Sequence, residues 1–149
     1  MTLRYCAGIF ALLLAAASPA LGQKAPAAGR IKVASGSVFV VRNQQAIPAR
    51  VGQVVFEADG LRTGPDGRMG VTLNDDTRVS IGPASEVRLD RFAYAPAEGR
   101  LAFALNVVRG VAAYVSGRIA KLSPDSIRLE TPAAIVGVRG TSLAIRVEP

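Results

Sequence analysis

One segment near the end of the chain predicts a strand, a tight turn and a closing strand: Thr131-Pro132-Ala133-Ala134-Ile135-Val136-Gly137-Val138-Arg139-Gly140-Thr141-Ser142-Leu143-Ala144-Ile145. Proline disfavours the helical region for the residue before it, so Thr131-Pro132 is an extended entry. The β-branched run that follows favours a strand, and the alternation from Leu143 onwards is typical of a half-buried strand. Gly137 and Gly140 bracket Arg139, so the backbone can turn there without steric cost.

The preceding hundred or so residues show the same period of two, interrupted by turn residues. Apolar residues also recur every ten positions in two tracks, in phase with the turns: Val41, Val51, Leu61, Val71 and Ile81, and Met69, Val79 and Leu89. Short strands with regular turns predict one all-β domain of short stacked β-rungs, either β-solenoid-like or a small twisted sandwich. We expect turns at Asn74-Asp75-Asp76 and Arg109-Gly110, loops at 93–99 and 121–126, and helical character only at residues 9–17.

Several segments resemble those of FecR-type periplasmic domains. They are Gly36-Ser37-Val38, Val51-Gly52-Gln53, Leu61-Arg62-Thr63-Gly64, Asp66-Gly67-Arg68, Leu73 to Val79, Gly110-Val111, Val115-Ser116-Gly117, and the closing Thr131-Pro132 with Gly137-Val138-Arg139-Gly140-Thr141. The resemblance covers roughly Gly29 to Val147. It implies an all-β periplasmic module in which the closing motif has a structural or partner-binding role.

The best-known proteins of that family relay a signal from an outer-membrane transporter to a cytoplasmic sigma factor. In this sequence we expect a cleavable leader where those proteins have a cytoplasmic segment and a membrane helix, and the motif lies close to the last residue given, Pro149. We therefore carry over only the periplasmic binding role and not sigma-factor regulation.

Residues 1–22 have the features of a secretory signal. Arg4 precedes an apolar run at 7–17, Ser18-Pro19 ends that run, and Ala20-Leu21-Gly22 offers small residues for cleavage. The alternative is a membrane anchor, but the run is shorter than the roughly 20 residues that span a bilayer. We expect cleavage after Gly22, a linker at 23–28, a domain at 29–149, and no membrane span after cleavage.

The composition disfavours several kinds of chemistry. The chain has no histidine and a single cysteine, Cys6, which lies in the predicted signal. An enzyme using a histidine base or a thiol nucleophile is therefore not expected, and neither a cofactor nor a metal site is predicted. The formal net charge of +7 comes without a dense basic run, so nucleic acid is not expected as a partner. Such a charge also suits an anionic cell-wall polymer, or it serves solubility alone.

Two polar features of the sequence are candidate sites. Adjacent acidic residues at Asp75-Asp76 could hold a cation, but their place between alternating strands favours a turn. Arg139 either locks the final turn by donating to carbonyl or carboxylate oxygens, or it presents its charge to a partner.

The sequence thus predicts an exported, non-enzymatic interaction or sensory module of the bacterial envelope, located in the periplasm, whose partner is an envelope protein. The alternative is a protein that binds cell-wall or surface polysaccharide.

Overall fold

The computed structural model describes residues 25–138, 140 and 142–148. These residues form twelve strands, one short helix and two 3₁₀ turns. The strands are β1 Ala27–Ser35, β2 Val38–Arg42, β3 Gln45–Pro48, β4 Val54–Phe56, β5 Gly60–Thr63, β6 Arg68–Leu73, β7 Arg78–Ile81, β8 Glu86–Ala95, β9 Arg100–Val115, β10 Ile127–Glu130, β11 Ile135–Gly137 and β12 Ser142–Val147. The helix α1 is Arg118–Leu122, and the 3₁₀ turns are Pro96–Glu98 and Pro124–Ser126. The prediction of a single all-β domain is confirmed.

The strands form one curled sheet in the order β3-β2-β5-β8-β9-β7-β6-β1-β4. All neighbours on this path are antiparallel. The long strand β9 joins two parts of the sheet. Its residues 100–109 pair with β8, and together with β2, β3, β5, β10 and β11 they form what we call the first half-sheet. Its residues 110–115 pair with β7 and β12, and together with β1, β4 and β6 they form the second half-sheet.

β9 bends sharply between its two parts. The rings of Phe103 and Tyr114 have centroids only 5.5 Å apart, whereas eleven residues of straight strand would separate their Cα atoms by about 36 Å. Gly110 lies in between with a φ of +83°, which glycine adopts at no steric cost. The Arg109-Gly110 turn expected from the sequence is therefore a bend inside one continuous strand.

The core lies on the inner faces of both half-sheets. Buried side chains alternate along the strands as predicted, with Met69, Val71 and Leu73 inward on β6 and Val79 and Ile81 inward on β7. The ten-residue tracks are confirmed from Leu61 onwards, but they fail at the start. There Val41 is half-buried and Val51 is 64% exposed, because Val51 lies in the turn before β4 and not on a strand.

The boundaries differ from the expectations in three places. β8 continues to Ala95, where a loop at 93–99 was expected, because its second half pairs with β9 from Arg100 to Ala104. α1 begins at Arg118 and extends two residues into the loop expected at 121–126, so the expectation of helical character only at residues 9–17 is wrong for this segment; residues 9–17 themselves lie outside the described part of the chain. β1 begins at Ala27, inside the segment expected to be a linker, and Ala28 is buried in the core.

Candidate functional site

The closing motif begins as the tip of a hairpin between β10 and β11. Thr131 and Ala134 close the turn: the Thr131 N–H donates to the Ala134 carbonyl at 2.8 Å, and the Ala134 N–H lies 3.1 Å from Thr131 Oγ1. Pro132 and Ala133 are exposed at the tip. Thr131 and Pro132 therefore shape the turn, because a threonine hydroxyl that accepts from a nearby N–H stabilises a tight turn.

The two strands predicted on either side of the tight turn, β11 and β12, do not pair with each other. β11 pairs with β10 in the first half-sheet, and β12 pairs with β9 in the second. The motif therefore carries the chain from one half-sheet to the other. Arg139 and Thr141 lie outside the described residues, so the predictions made for them stay predictions.

The two motif glycines face open space. A Cβ added to Gly137 or Gly140 would meet no atom of another segment within 4 Å. Both residues are exposed, and Val138 between them is half-buried. Close packing therefore does not explain the glycines, and this part of the motif lies at the surface.

A cleft runs along the motif. Its first part, of about 520 Å³, lies between the turn Pro124–Ser126 and strand β11, and its lining includes Ile127, Arg128, Ile135 and Val136. A second part of about 490 Å³ continues past Val138 to Gly140 and Ala120. Both parts share Pro124 and Asp125. We call this continuous surface the motif cleft.

Strand β11, which lines the motif cleft, has an open edge and an exposed apolar side chain. Among the described strands, β11 pairs with β10 alone, so its other edge carries main-chain groups without a strand partner. Ile135 on this strand lines the cleft and is 68% exposed. An open edge beside apolar side chains can accept an added strand of another protein. The sequence did not reveal Pro124 and Asp125 as part of this surface, because 121–126 carries only a loop signal.

The acidic pair Asp75-Asp76 is structural, in line with the interpretation as a turn. Asp75 is fully buried, and its carboxylate accepts hydrogen bonds from the backbone N–H and the hydroxyl of Thr77 at 3.1 and 2.7 Å. Asp76 is exposed and forms an ion pair with Arg118 at 3.1 Å. The carboxylate of Asp75 thus accepts hydrogen bonds from the protein's own turn, which supports a structural role.

A second buried carboxylate, Asp59, is also satisfied internally. It accepts from Arg42 through Nε at 2.9 Å and Nη2 at 2.7 Å, and from the backbone N–H of Phe56 at 2.9 Å. This hydrogen bond raises the pKa of Arg42, whose guanidinium also lies 4.7 Å from the centre of the Phe56 ring. A two-pronged pair of this kind fixes the geometry of the corner between β2, β4 and β5.

Neither a metal-binding cluster nor a membrane-spanning helix is present in the described residues. Within residues 25–138, 140 and 142–148, no three histidine, cysteine, aspartate or glutamate side chains are grouped so that they could hold a metal ion. The same part of the chain has no helix with the length and apolar character needed to cross a bilayer.

The fold and the motif define a class of protein: a single all-β domain whose closing motif lies at an open sheet edge. The FecR protein family model matches residues 59–149, more than half of the chain. The chain belongs to the FecR family. This family is signalling-related in general, acts through protein–protein interaction and is associated with the cell envelope. No curated protein and no solved structure matched the chain.

Proposed function

We propose that this protein is an exported, non-enzymatic interaction module of the bacterial envelope, and that it binds an extended strand of a partner protein along β11. The observation that carries the proposal is the position of the family motif. Its strand is an edge strand with an exposed apolar side chain, Ile135, at the start. A segment that served only to complete the core would be expected to bury such a residue.

Strand addition fits the features of the motif cleft. An added strand would form main-chain hydrogen bonds to the open edge of β11, while the cleft would receive its alternate side chains. Asp125 and Arg128 give the cleft one charge of each sign, which favours a partner with both apolar and polar residues over a uniformly charged polymer.

The remaining parts of the proposal rest on the sequence. The predicted signal at residues 1–22 supports export to the periplasm, and the absence of histidine from the chain supports a non-enzymatic role. The intact mass of the exported protein tests the first point. A chain beginning at Gln23 is expected, and a chain retaining Met1 in the membrane fraction would contradict it.

Site-specific photo-crosslinking in intact cells tests the partner site. A photoreactive phenylalanine analogue at position 135 is expected to give one discrete adduct with an envelope protein. Position 47 is the matched control, because Ile47 is also an exposed apolar residue on an edge strand, β3, at the other end of the first half-sheet. The same adduct from both positions would contradict the proposal.

A substitution then links the adduct to strand addition. Ile135→Lys is expected to abolish the adduct formed from a second photoreactive position, Val136, while leaving the denaturation midpoint unchanged, because Ile135 is 68% exposed. An undiminished adduct would show that the partner does not use this edge.

The alternative, binding of a cell-wall or surface polysaccharide, is favoured by the net charge of +7. Co-sedimentation with purified peptidoglycan tests it. Binding that persists in Ile135→Lys and disappears with rising salt would support this alternative, because contacts between exposed charges are screened.

A further inference from the structure

Four side chains on neighbouring strands form a row across the first half-sheet. Phe39 on β2 is paired with Arg62 on β5, Arg62 with Glu86 on β8, and Glu86 with Arg109 on β9. Directly paired residues of antiparallel strands project from the same face of the sheet. The row lies on the outer face, because the neighbours Leu61 and Val87 are buried on the inner one.

The row carries more positive than negative charge. One nitrogen of Arg62 and one of Arg109 each lie 3.4 Å from an oxygen of Glu86. Each arginine makes a single long contact here, whereas a guanidinium can offer two parallel donors to one carboxylate. A single carboxylate shared by two guanidiniums leaves one positive charge unbalanced.

One donor in the row has no acceptor. The Nε of Arg62 is buried and has no hydrogen-bond partner among the described residues. Buried donors are normally paired, because an unpaired one loses its hydrogen bonds to water without replacement. This cluster therefore combines an unbalanced charge with an unused donor.

A cleft of about 460 Å³ opens at this row. The two arginines supply its charged lining, and Phe39, Pro65 and Ala84 supply an apolar wall; Thr63 and Gly64 complete the lining. Arg62 and Gly64 belong to Leu61-Arg62-Thr63-Gly64, one of the segments that carries the family resemblance and has no part in the motif cleft.

We propose that this cleft binds a carboxylate attached to a small apolar group. The guanidiniums of Arg62 and Arg109 would hold the carboxylate, since their planar forks match its two oxygens. The apolar group would pack against Phe39 and Pro65, as is usual in sites where a few polar groups orient a ligand against an apolar wall. A monoanion balances the single excess charge, whereas a phosphate dianion would exceed it. The site is independent of the partner strand proposed for β11.

Titration followed by nuclear magnetic resonance of the arginine Nε–H groups tests the site. The probe is N-acetylphenylalanine, and its neutral amide is the control. At low salt the acid is expected to shift the Arg62 signal in a saturable way, and the amide is expected to leave it unchanged. Equal shifts from acid and amide would overturn the proposal, and so would inorganic phosphate binding as tightly as the acid.

Three substitutions sharpen the test. Arg62→Gln and Arg109→Gln are each expected to weaken binding of the acid about tenfold or more, as loss of a hydrogen bond to a charged group does. Arg100→Gln is the control, because Arg100 is also an exposed arginine 3.4 Å from a carboxylate, that of Glu98. It is expected to leave the affinity unchanged. An equal loss of affinity in all three variants would show that net charge alone explains the binding, and it would overturn the proposed site.

Glu86→Gln is expected to change the affinity for the acid in the opposite direction. Removal of the internal counter-charge leaves both guanidiniums available, so the acid is expected to bind more tightly than to the parent. Unchanged or weaker binding, in a variant whose denaturation midpoint is close to that of the parent, would contradict the proposed role of the two arginines.

Discussion

The carboxylate of Asp75 accepts a hydrogen bond from the backbone N–H of Ile119, 44 residues further along the chain, at 3.2 Å. The Asp75 carbonyl accepts a second one from the Arg118 N–H at 2.7 Å. Through Asp75 the turn between β6 and β7 therefore fixes the start of α1. The first N–H groups of a helix have no partner within the helix, so a buried carboxylate at this point satisfies a donor that would otherwise be unpaired.

Asp75→Asn is expected to lower the free energy of unfolding by about 1 to 3 kcal/mol, because its amide group would set a donor against N–H and O–H groups that now donate to a carboxylate. Asp76→Asn is the matched control. Asp76 is exposed with a φ of +69°, which asparagine tolerates, and its ion pair with Arg118 is at the surface, where such pairs contribute little. Urea denaturation measures both variants. Equal losses would contradict the role assigned to Asp75.

Stability is expected to fall at alkaline pH because of Tyr114. Burial, and then the nearby charge of Asp75, raises the pKa of Tyr114 from 10.0 to about 12. A raised pKa means that the folded state keeps the proton after the unfolded chain has lost it. The stabilisation is therefore complete below pH 10 and is lost as the pH rises from about 10 to 12, by about 2 to 3 kcal/mol.

Tyr114→Phe isolates this effect. The hydroxyl of Tyr114 is buried without a hydrogen-bond partner among the described residues, so its removal is expected to cost little at neutral pH. Between pH 10 and 12 the variant should lose less stability than the parent. Parallel declines in urea melts over this range would show that Tyr114 does not cause the alkaline loss.

Gly110→Ala is expected to destabilise the bend of β9 strongly. The residue has a φ of +83°, and a Cβ there would lie 2.6 Å from Ser85 Cα. The backbone at Ser85, just before β8, would therefore have to move. Gly99→Ala is the control, because Gly99 has a φ of +66° but open space around it. It should cost only about 1 to 2 kcal/mol of backbone strain. Similar denaturation midpoints for the two variants would show that contact with Ser85 is unimportant.

The two faces of β6 are expected to respond differently to a new charge. Val71 is 2% exposed, so Val71→Asp would bury an unpaired carboxylate and unfold the domain. Thr72 points the other way and is paired across the sheet with Arg30 and Arg78, so Thr72→Asp would place a carboxylate beside two cations and cost little. Circular dichroism shows which variant remains folded. A folded Val71→Asp protein would contradict the assignment of the inner face.

The sequence predicts those features of the fold that depend on near neighbours. The alternation along β6 and β7 correctly places Val71 and Ile81 inward, because a strand on one sheet has a period of two. It also identifies the turn at Asp75-Asp76. It does not reveal that Asp75 is buried, because Ile119 of α1, whose N–H donates to its carboxylate, lies 44 residues further along the chain.

The candidate sites show the same limit. The motif residues are recognisable in the sequence, yet their position at an open edge follows only from the pairing of β11 with β10. The row from Phe39 to Arg109 depends on the registers of four strands, which no local pattern specifies. The sequence predicts a turn at Gly110 and not a bend within a strand, because glycine favours turns and bends alike.

Arg139 gives the last prediction, which rests on the sequence because the residue lies outside the described part of the chain. If Arg139 holds the segment between β11 and β12 by donating to buried acceptors, Arg139→Ala leaves them unpaired and should lower the free energy of unfolding by about 1 to 3 kcal/mol. Arg139→Lys should recover only part, because an ammonium lacks the planar fork. Arg146→Ala, at an exposed arginine of β12, is the control and should cost little.

If instead Arg139 contacts the partner, Arg139→Ala should be as stable as the parent and should lose the adduct formed from position 135. Denaturation midpoints and crosslinking yields of the three variants separate the two roles. A stable Arg139→Ala variant without the adduct would show that Arg139 contacts the partner and does not hold the fold.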